Sequence, residues 1–468
     1  MKEKFKKIGS LALALFCLGL CACGGDTTDD GNEEGGGITV KPQTPVTQVT
    51  NETYQSYWMK QHDYKTMPIA AFNGMPVQIS TYADMVTEDH YKEMADCYIN
   101  TSYALYDNIS YTDQVVKALQ YAAKYDISYL AGGSGFNTAT SVNTLEAQIY
   151  KTLLKDKPEA LGGVLIMDEP AYTNYEPMAT SRATFEELLD DDLLYHSNLF
   201  PTYASAHQMY SRVDANKPVP ETGYTYEQYV DDYLRIYKPQ VLSYDYYPLK
   251  ANGKMSKGYF DNMSIIREKA AGAKIPFWVY IQTCSFNSGT RIPNEADLHW
   301  LVNTSLAYGS KGIQYFTYVV PISSGGESFD GAMIDKQGNP TAVYGYAKTV
   351  NKFITEVDEV LMCSLSKGLM KSGTTPCDDI PESDLVASYG ALASVTGDSV
   401  LVGCFDYNGK NAYYVVNNSV TADCTTTLNF NKASSGYVHN YTGKTDVSGK
   451  TSLEIALGAG KAALVVLD

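Results

Sequence analysis

Leu161–Pro170 reads LGGVLIMDEP, an apolar run that ends abruptly in two adjacent carboxylates and a proline. A run of that length bounded by Gly-Gly and Pro predicts a fully buried parallel strand, with the acids where the strand emerges. Asp168 and Glu169 are therefore placed at a strand's C-terminal end. In a barrel of alternating strands and helices that end is the reactive face, so carboxylates there are candidates for chemistry rather than for solubility. The plainer alternative is a solvated loop pair or a helix cap.

Outward from this run one pattern repeats from Thr66 onward: a short apolar or β-branched strand, a loop, then an amphipathic helix. Ile69–Asn73, Thr101–Leu105 and Ile127–Ala131 precede it as strands, and Asn198–Tyr203, Gln240–Asp245, Pro276–Gln282 and Gly312–Tyr318 follow it. The predicted helices are Thr87–Cys97 with Thr87 as N-cap, Thr112–Tyr125 with an apolar stripe, Thr225–Tyr237, Phe260–Ala271 and Asn294–Tyr308. Eight strands with helices between them fit an α/β fold, a (β/α)8 TIM barrel over residues 65–362; such barrels usually take ~250 residues and more with insertions. An open doubly wound sheet would want a glycine-rich phosphate loop after the first strand, and FNGMPV at Phe72–Val77 is not one.

Beyond the helix Ala342–Val360 the pattern changes. Residues 363–384 read as a loop-rich linker, followed by short alternating strands at Leu385–Tyr389, Val400–Asp406, Ala412–Asn417, Thr425–Phe430 and Ala462–Leu467. Asn408-Gly409 between two of them is a strong hairpin signal. Residues 385–468 are thus expected to form a small all-β sandwich that packs on the barrel.

The chain has 468 residues, enough for two cores. Its net charge of −17 argues against nucleic acid or an anionic membrane surface as partner, since both need basic patches. A neutral ligand fits better, and 39 tyrosines, many beside strand ends, offer the flat faces and hydroxyls that suit sugar rings. The N-terminus has the form of a targeting signal: Met1–Lys7 is basic, Ile8–Leu20 is largely apolar, and Leu20-Cys21-Ala22-Cys23 closes it. Residues 23–64 are poor in apolar side chains and read as a disordered acidic and Pro/Thr tether. Six cysteines follow Cys23 without metal-ligand spacing; a disulfide between Cys363 and Cys377, or Cys404 and Cys424, is permitted by an extracytoplasmic location but not determined.

Placed on a barrel, the strand ends converge on one mouth: Asn73, Asp168, Glu169, Tyr203, Asp245, Tyr246, Tyr247, Gln282 and Tyr318. Acids, amides and phenols dominate, with no histidine or cysteine cluster, which argues against zinc and against a Ser/His/Asp or Cys/His triad. No cofactor and no metal is expected. The histidines fall mainly on helices and loops; His207, shortly after the fifth strand, is the one worth following.

Four features carry a resemblance to a known group: Glu169-Pro170 after the fourth strand, SYDYYP at Ser243–Pro248 after the sixth, a Trp and a polar end on the seventh, and AYGSKGIQYFTY at Ala307–Tyr318 entering the eighth. With the appended β-sandwich, residues 67–468 resemble the clan-A glycoside hydrolases. The resemblance implies a carbohydrate substrate and Glu169 as acid/base. Two positions depart from the clan pattern: Asp168 stands where Asn usually precedes the acid/base, and Gln282 where a nucleophilic Glu ends the seventh strand. The N-terminus likewise resembles the lipobox of bacterial lipoproteins, which implies cleavage after residue 22, lipid on Cys23, and a place on the outer side of the bacterial cytoplasmic membrane, in the cell envelope.

Three arrangements follow for the mouth. Glu169 is the proton donor and Asp245 the second carboxylate, a nucleophile if the carboxyls lie ~5 to 5.5 Å apart and a base for water at ~6.5 to 9.5 Å. Alternatively Asp168 and Glu169 form a dyad resembling that of N-acetylhexosaminidases, with Tyr246 or Tyr318 holding an acetamido oxygen. Adjacent strand residues point to opposite faces, so the dyad requires a bend there, which Pro170 is expected to provide. In the third arrangement the barrel binds glycan without cleaving it, and Asp245 only accepts hydrogen bonds from the tyrosines around it.

Overall fold

The computed structural model describes residues 65–468 except 80–81, 104–110, 134–135, 138, 145–157, 190–192, 212–222, 324–325 and 378–379. Cys23, the leader and the tether lie outside the described residues. Eight parallel strands close into a barrel: β1 (Ile69–Ala71), β2 (Thr101–Tyr103), β3 (Ser128–Ala131), β4 (Leu161–Asp168), β5 (Leu194–Leu199), β6 (Leu242–Tyr244), β7 (Phe277–Gln282) and, after a short β8 (Cys284–Phe286), β9 (Ile313–Phe316), which pairs back to β1. β8 pairs antiparallel with β10 (Phe329–Gly331), a small ribbon built from the loops that follow β7 and β9.

Helices alternate with the strands: α1 (Glu88–Asp96), α2 (Thr112–Lys124), α3 (Tyr175–Leu188), α4 (Ala206–Ser211), α5 (Tyr226–Ile236), α6 (Tyr259–Ala273), α7 (Glu295–Ala307) and α8 (Ala342–Met362). Their starts follow from the sequence. Thr87 caps α1 by accepting from the His90 N–H, and Thr225 with Gln228 and Asn294 with Asp297 form capping boxes on α5 and α7. The chain enters at the closed end of the barrel, where the Met67 N–H donates to Asp358 at 3.1 Å and Lys65 pairs with Glu359 at 2.6 Å.

β4 is the longest barrel strand and pairs with both neighbours. Its glycines lie within the strand rather than bounding it: a Cβ on Gly163 would sit 2.2 Å from the Leu194 carbonyl oxygen, so only glycine lets β4 and β5 approach this closely. β5 begins at Leu194, four residues before the expected Asn198–Tyr203. His196 and Asn198 are polar but face the barrel interior, which disguises the strand, and Pro201 has no N–H for the ladder.

The C-terminal unit is antiparallel: β11 (Ser364–Gly373), β12 (Leu392–Thr396), β13 (Ser399–Tyr407), β14 (Lys410–Asn417), β15 (Cys424–Asn440), β16 (Gly443–Leu457) and β17 (Ala462–Leu467), in the order β11-β13-β14-β17-β15-β12 with β16 beside β15. Ser364–Gly373, expected as linker, is its first strand, and Leu385–Tyr389, expected as a strand, makes only isolated bridges. Asn408 and Gly409, both at positive φ, turn β13 into β14 as the hairpin signal implied. The first half of β15 pairs with β12 and the second with β17, with a bulge between, so the sheet folds over on itself. Val400, Val402, Val415, Leu428, Ile455 and Val465 fill the space inside this sandwich. The alternate residues Leu401, Phe405, Tyr414, Val416, Leu464 and Val466 join the barrel's own core. All six cysteines among the described residues are free thiols, so neither of the two pairings allowed above forms.

The seam between the units is polar as well as apolar. From Asp297 to Ala307 every residue of α7 is buried. Asn303 accepts from the Tyr414 hydroxyl at 2.7 Å and donates to the Tyr441 hydroxyl at 3.1 Å and the Gly460 carbonyl at 2.8 Å, while Trp300 Nε1 donates to Asn418 Oδ1 at 2.7 Å. Lys311, buried, donates to the carbonyls of Leu361 and Ser364 where α8 passes into β11, and burial lowers its ammonium to about 7. Asn303→Ala leaves several buried partners unsatisfied and should destabilise the whole chain by about 2 to 4 kcal/mol in denaturant unfolding. A chain ended at Cys363 exposes α7 and should be recovered insoluble; a soluble truncated barrel melting with the full chain would refute this coupling.

Candidate functional site

The ends of β4, β5 and β6 are tied together by one asparagine. Asp168 lies in register with Asn198, and Asn198 with Ser243, two residues before Asp245. Asn198 Nδ2 donates to Asp245 Oδ1 at 3.0 Å, and its backbone carbonyl accepts from the Glu169 N–H at 2.9 Å. Glu169 itself has φ +47°, a left-handed conformation that costs a residue with a side chain about 1 to 2 kcal/mol. The bend that an Asp168–Glu169 dyad requires is thus present, at Glu169 rather than through Pro170.

Burial sets the electrostatics. Asp245 is 3 % exposed, and loss of hydration pushes its carboxyl up to about 8, with the negative charge of Asp168 adding to the rise. Hydrogen bonds from Asn198 and Tyr247 pull in the opposite direction without restoring the ordinary value. At neutral pH Asp245 therefore holds its proton, with the Asp168 carboxyl opposite it. Tyr226, Tyr244, Tyr247 and Tyr280 surround it, and burial above all keeps their hydroxyls well above the usual phenol range, so they remain protonated. Asp168 is only half-buried, and Tyr203, at 38 % exposure, stands edge-on to Tyr246 with ring centroids 5.0 Å apart. These two are the accessible members of a group whose other members are covered.

The expected site residues therefore divide. Asp168, Asp245, Tyr203 and Tyr247 come together, while Glu169 joins them through its backbone N–H on Asn198 and its carboxyl charge is felt by Tyr229 of α5. Gln282 does not offer its amide to a ligand: Nε2 donates to the carbonyls of Cys284 and Arg291, at 3.2 and 2.9 Å, and Oε1 accepts from the Leu249 N–H. Tyr318 is fully buried beside Cys97, Glu93 and Tyr344, on the helix side of the wall. The Tyr246 hydroxyl donates to the Lys257 carbonyl and holds the loop before α6, so neither tyrosine is placed to hold an acetamido oxygen. Asn73, 1 % exposed, donates to the Val319 carbonyl at 2.7 Å and ties the ends of β1 and β9. His207 is exposed on α4. Among the described residues no set of three or more His, Cys, Asp or Glu is arranged to hold a metal ion.

Two residues central to the site, Asn198 and Tyr280, were not anticipated there. Their signal was a polar side chain inside a barrel strand bounded by apolar residues, as in LYHSNL and FWVYIQ.

Against solved structures, the chain is similar to a β-galactosidase from Bacillus circulans sp. alkalophilus at 8 % identity, with a TM-score of 0.56 over 86 % of this chain and 99 % of that one. It is similar also to Gan42B, a GH42 β-galactosidase from G. stearothermophilus, at 9 % identity and a TM-score of 0.54 over 86 % and 98 %. What is shared is the fold. It comprises the closed barrel and the appended β-sandwich together. No family model matches the chain, and no curated protein matches its sequence.

The raised Asp245 carboxyl has a consequence for stability. Between the unfolded value, about 3.9, and the folded value, about 8, the folded chain keeps a proton that the unfolded chain has lost. The stabilisation is complete below the unfolded value and is lost as pH rises through this window. Asp245→Asn does not titrate, so its melting temperature relative to wild type should climb from pH 4 to pH 8 and level off above. A difference that is flat with pH would show that Asp245 is ionised in the folded protein.

Proposed function

We propose that this protein is a glycoside hydrolase that cleaves O-glycosidic bonds of a poly- or oligosaccharide at the barrel mouth, with Glu169 as general acid/base. The observation that carries the reading is the acidic group at the C-terminal ends of β4 and β6: a half-exposed Asp168 next to Glu169, facing a buried Asp245 whose carboxyl is raised. Glycosidic cleavage needs a proton on the departing oxygen and negative charge near a sugar ring that becomes cationic. Glu169 is the donor in this reading, and Asp168 supplies the charge.

Asp245 is poorly suited to be the nucleophile or the base for water, because a carboxyl that keeps its proton at neutral pH attacks nothing. It serves better as a neutral donor that holds Asp168 in place. Retention through a seventh-strand nucleophile is not supported either, since Gln282 occupies that position with its amide engaged. A second reading follows from the same pair: with Asp168 as the anion and the backbone bent at Glu169, Asp168 would orient a 2-acetamido group that attacks the anomeric carbon while Glu169 protonates the leaving group.

General acids typically contribute ~10² to 10⁴ in rate, so Glu169→Gln should lose about that on an unactivated glycan and less on aryl glycosides with good leaving groups. Asp168→Asn should lose turnover on both. Wild-type activity should fall above pH 8 as Asp245 ionises; a rise there would instead make Asp245 the working anion. Glycan binding without turnover on any glycan tested, by the wild type, would turn the reading to a surface binder.

We propose further that the chain is held at the envelope by lipid on Cys23, which the basic leader, the apolar segment and the LCAC sequence support. Cys23→Ala should leave the detergent-extractable membrane fraction while its folded part melts unchanged, and retention of the variant in that fraction would refute the anchor.

A further inference from the structure

Five side chains inside the barrel form a continuous line of hydrogen bonds. The Tyr103 hydroxyl donates to Gln314 Oε1 at 2.7 Å, and Gln314 Nε2 donates to Ser243 Oγ at 2.8 Å. Ser243 Oγ donates in turn to Asn198 Oδ1 at 3.0 Å, and Asn198 Nδ2 to Asp245 Oδ1 at 3.0 Å. The line crosses the lumen instead of following the wall: β2 and β9 are separated by β1, and β9 and β6 by β7. Tyr103, Ser243 and Gln314 come from the second, sixth and eighth barrel strands, the alternate strands whose side chains share a layer. None of the five is more than 3 % exposed. His196 stacks on Tyr103 at 5.2 Å and reaches Trp278 at 5.6 Å, and burial holds its imidazole neutral at about 3, so no cation enters the line.

All four bonds run the same way. With the Tyr103 hydroxyl donating to Gln314 Oε1, the glutamine N–H faces Ser243. Ser243, having accepted, must use its own hydrogen on Asn198 Oδ1, and this leaves only N–H for Asp245. Reversing any single link would set oxygen against oxygen or hydrogen against hydrogen at the next, and reversing all four would put Asn198 Oδ1 on Asp245, which suits only the protonated acid; the observed direction suits the anion as well. A run of donors aimed at a carboxylate favours its charged form, and in a dry interior each bond polarises the one after it.

We propose that Tyr103, Gln314 and Ser243 are positioning residues that fix the Asn198 amide with its N–H on Asp245, and so govern the ionisation of that carboxyl from inside the barrel. The groups facing Asp245 from the surrounding elements are Asp168 at the end of β4, Tyr226 on α5, Tyr244 on β6, Tyr247 after β6 and Tyr280 on β7. Asp168 and burial favour the neutral acid, Tyr247 and Asn198 the anion, and the line decides whether Asn198 can act. The inference deepens the proposed glycosidase reading, in which Asp245 is the neutral partner of Asp168, but the ionisation itself is independent of any substrate.

The test is a titration of full-length protein carrying aspartate labelled with ¹³C at the side-chain carboxyl, the Asp245 signal being the one lost in Asp245→Asn. Ser243→Ala removes one oxygen and frees the Asn198 amide to turn, so the Asp245 midpoint should rise by about one pH unit. Tyr103→Phe, three bonds further from Asp245, should raise it by less. A midpoint that is unmoved or lowered in Ser243→Ala, with cooperative melting retained, overturns the proposal; if Ser243→Ala does not fold, Tyr103→Phe decides in the same way. Turnover is measured separately. A raised midpoint with no wild-type turnover on any glycan would leave the line standing and remove the glycosidase reading, whereas turnover with an unmoved midpoint would do the reverse.

Discussion

The interior of a closed eight-stranded barrel is shielded from water, so a polar group inside it is costly unless it has a partner among the other groups there. This barrel is filled to an unusual extent with groups that need one. Tyr103, Asn198, Ser243, Asp245 and Gln314 all lie in or above its lumen, and hydrogen bonds between them satisfy what hydration would otherwise satisfy. Asn198 stands where the two requirements of the mouth meet, because its carbonyl holds the left-handed turn at Glu169 and its amide holds Asp245. Such a network tolerates little substitution: losing one member leaves the next buried and unmatched.

The C-terminal sheet solves a different problem. A barrel helix normally turns one face to the strands and the other to water, yet α7 is buried along nearly its whole length. The sheet that covers it is apolar on both faces, one facing its own folded-over half and one facing the barrel. Close approach is required there: a Cβ on Gly403 would lie 2.2 Å from the Ala307 carbonyl oxygen, and one on Gly460 2.3 Å from that of Ala296. The two units thus share one interior, and the strands of the barrel that carry the acids are held partly by a domain that does not reach them.

Much of this was legible in the sequence, and the failures share causes. The apolar run ending in Asp168 and Glu169 placed β4 and its acids, and the Tyr-flanked acid placed β6, because a buried strand that meets the mouth must change abruptly from apolar to polar. β5 was displaced because His196 and Asn198 look like loop residues until the barrel interior is known to be polar. Ser364–Gly373 was obscured by its own polar alternation, since SLSKGLMKSG pairs as a strand while presenting Ser and Lys at intervals. Gln282 and Tyr318 were expected to line the mouth by their position near strand ends alone. Position along a strand does not say which partners a side chain meets, and here one holds a loop and the other meets helices. The left-handed backbone at Glu169 left no mark in the residue type, because glutamate is not a residue that favours it.

The point at which the chain joins the barrel fixes a direction in space. Lys65 and Met67 are clasped by Glu359 and Asp358 near the last turn of α8, on the side where the strands begin, and the acids stand on the side where they end. Lys65 and Met67 therefore meet the barrel at its base. That side presents the floor of the barrel, and the acids open on the opposite face.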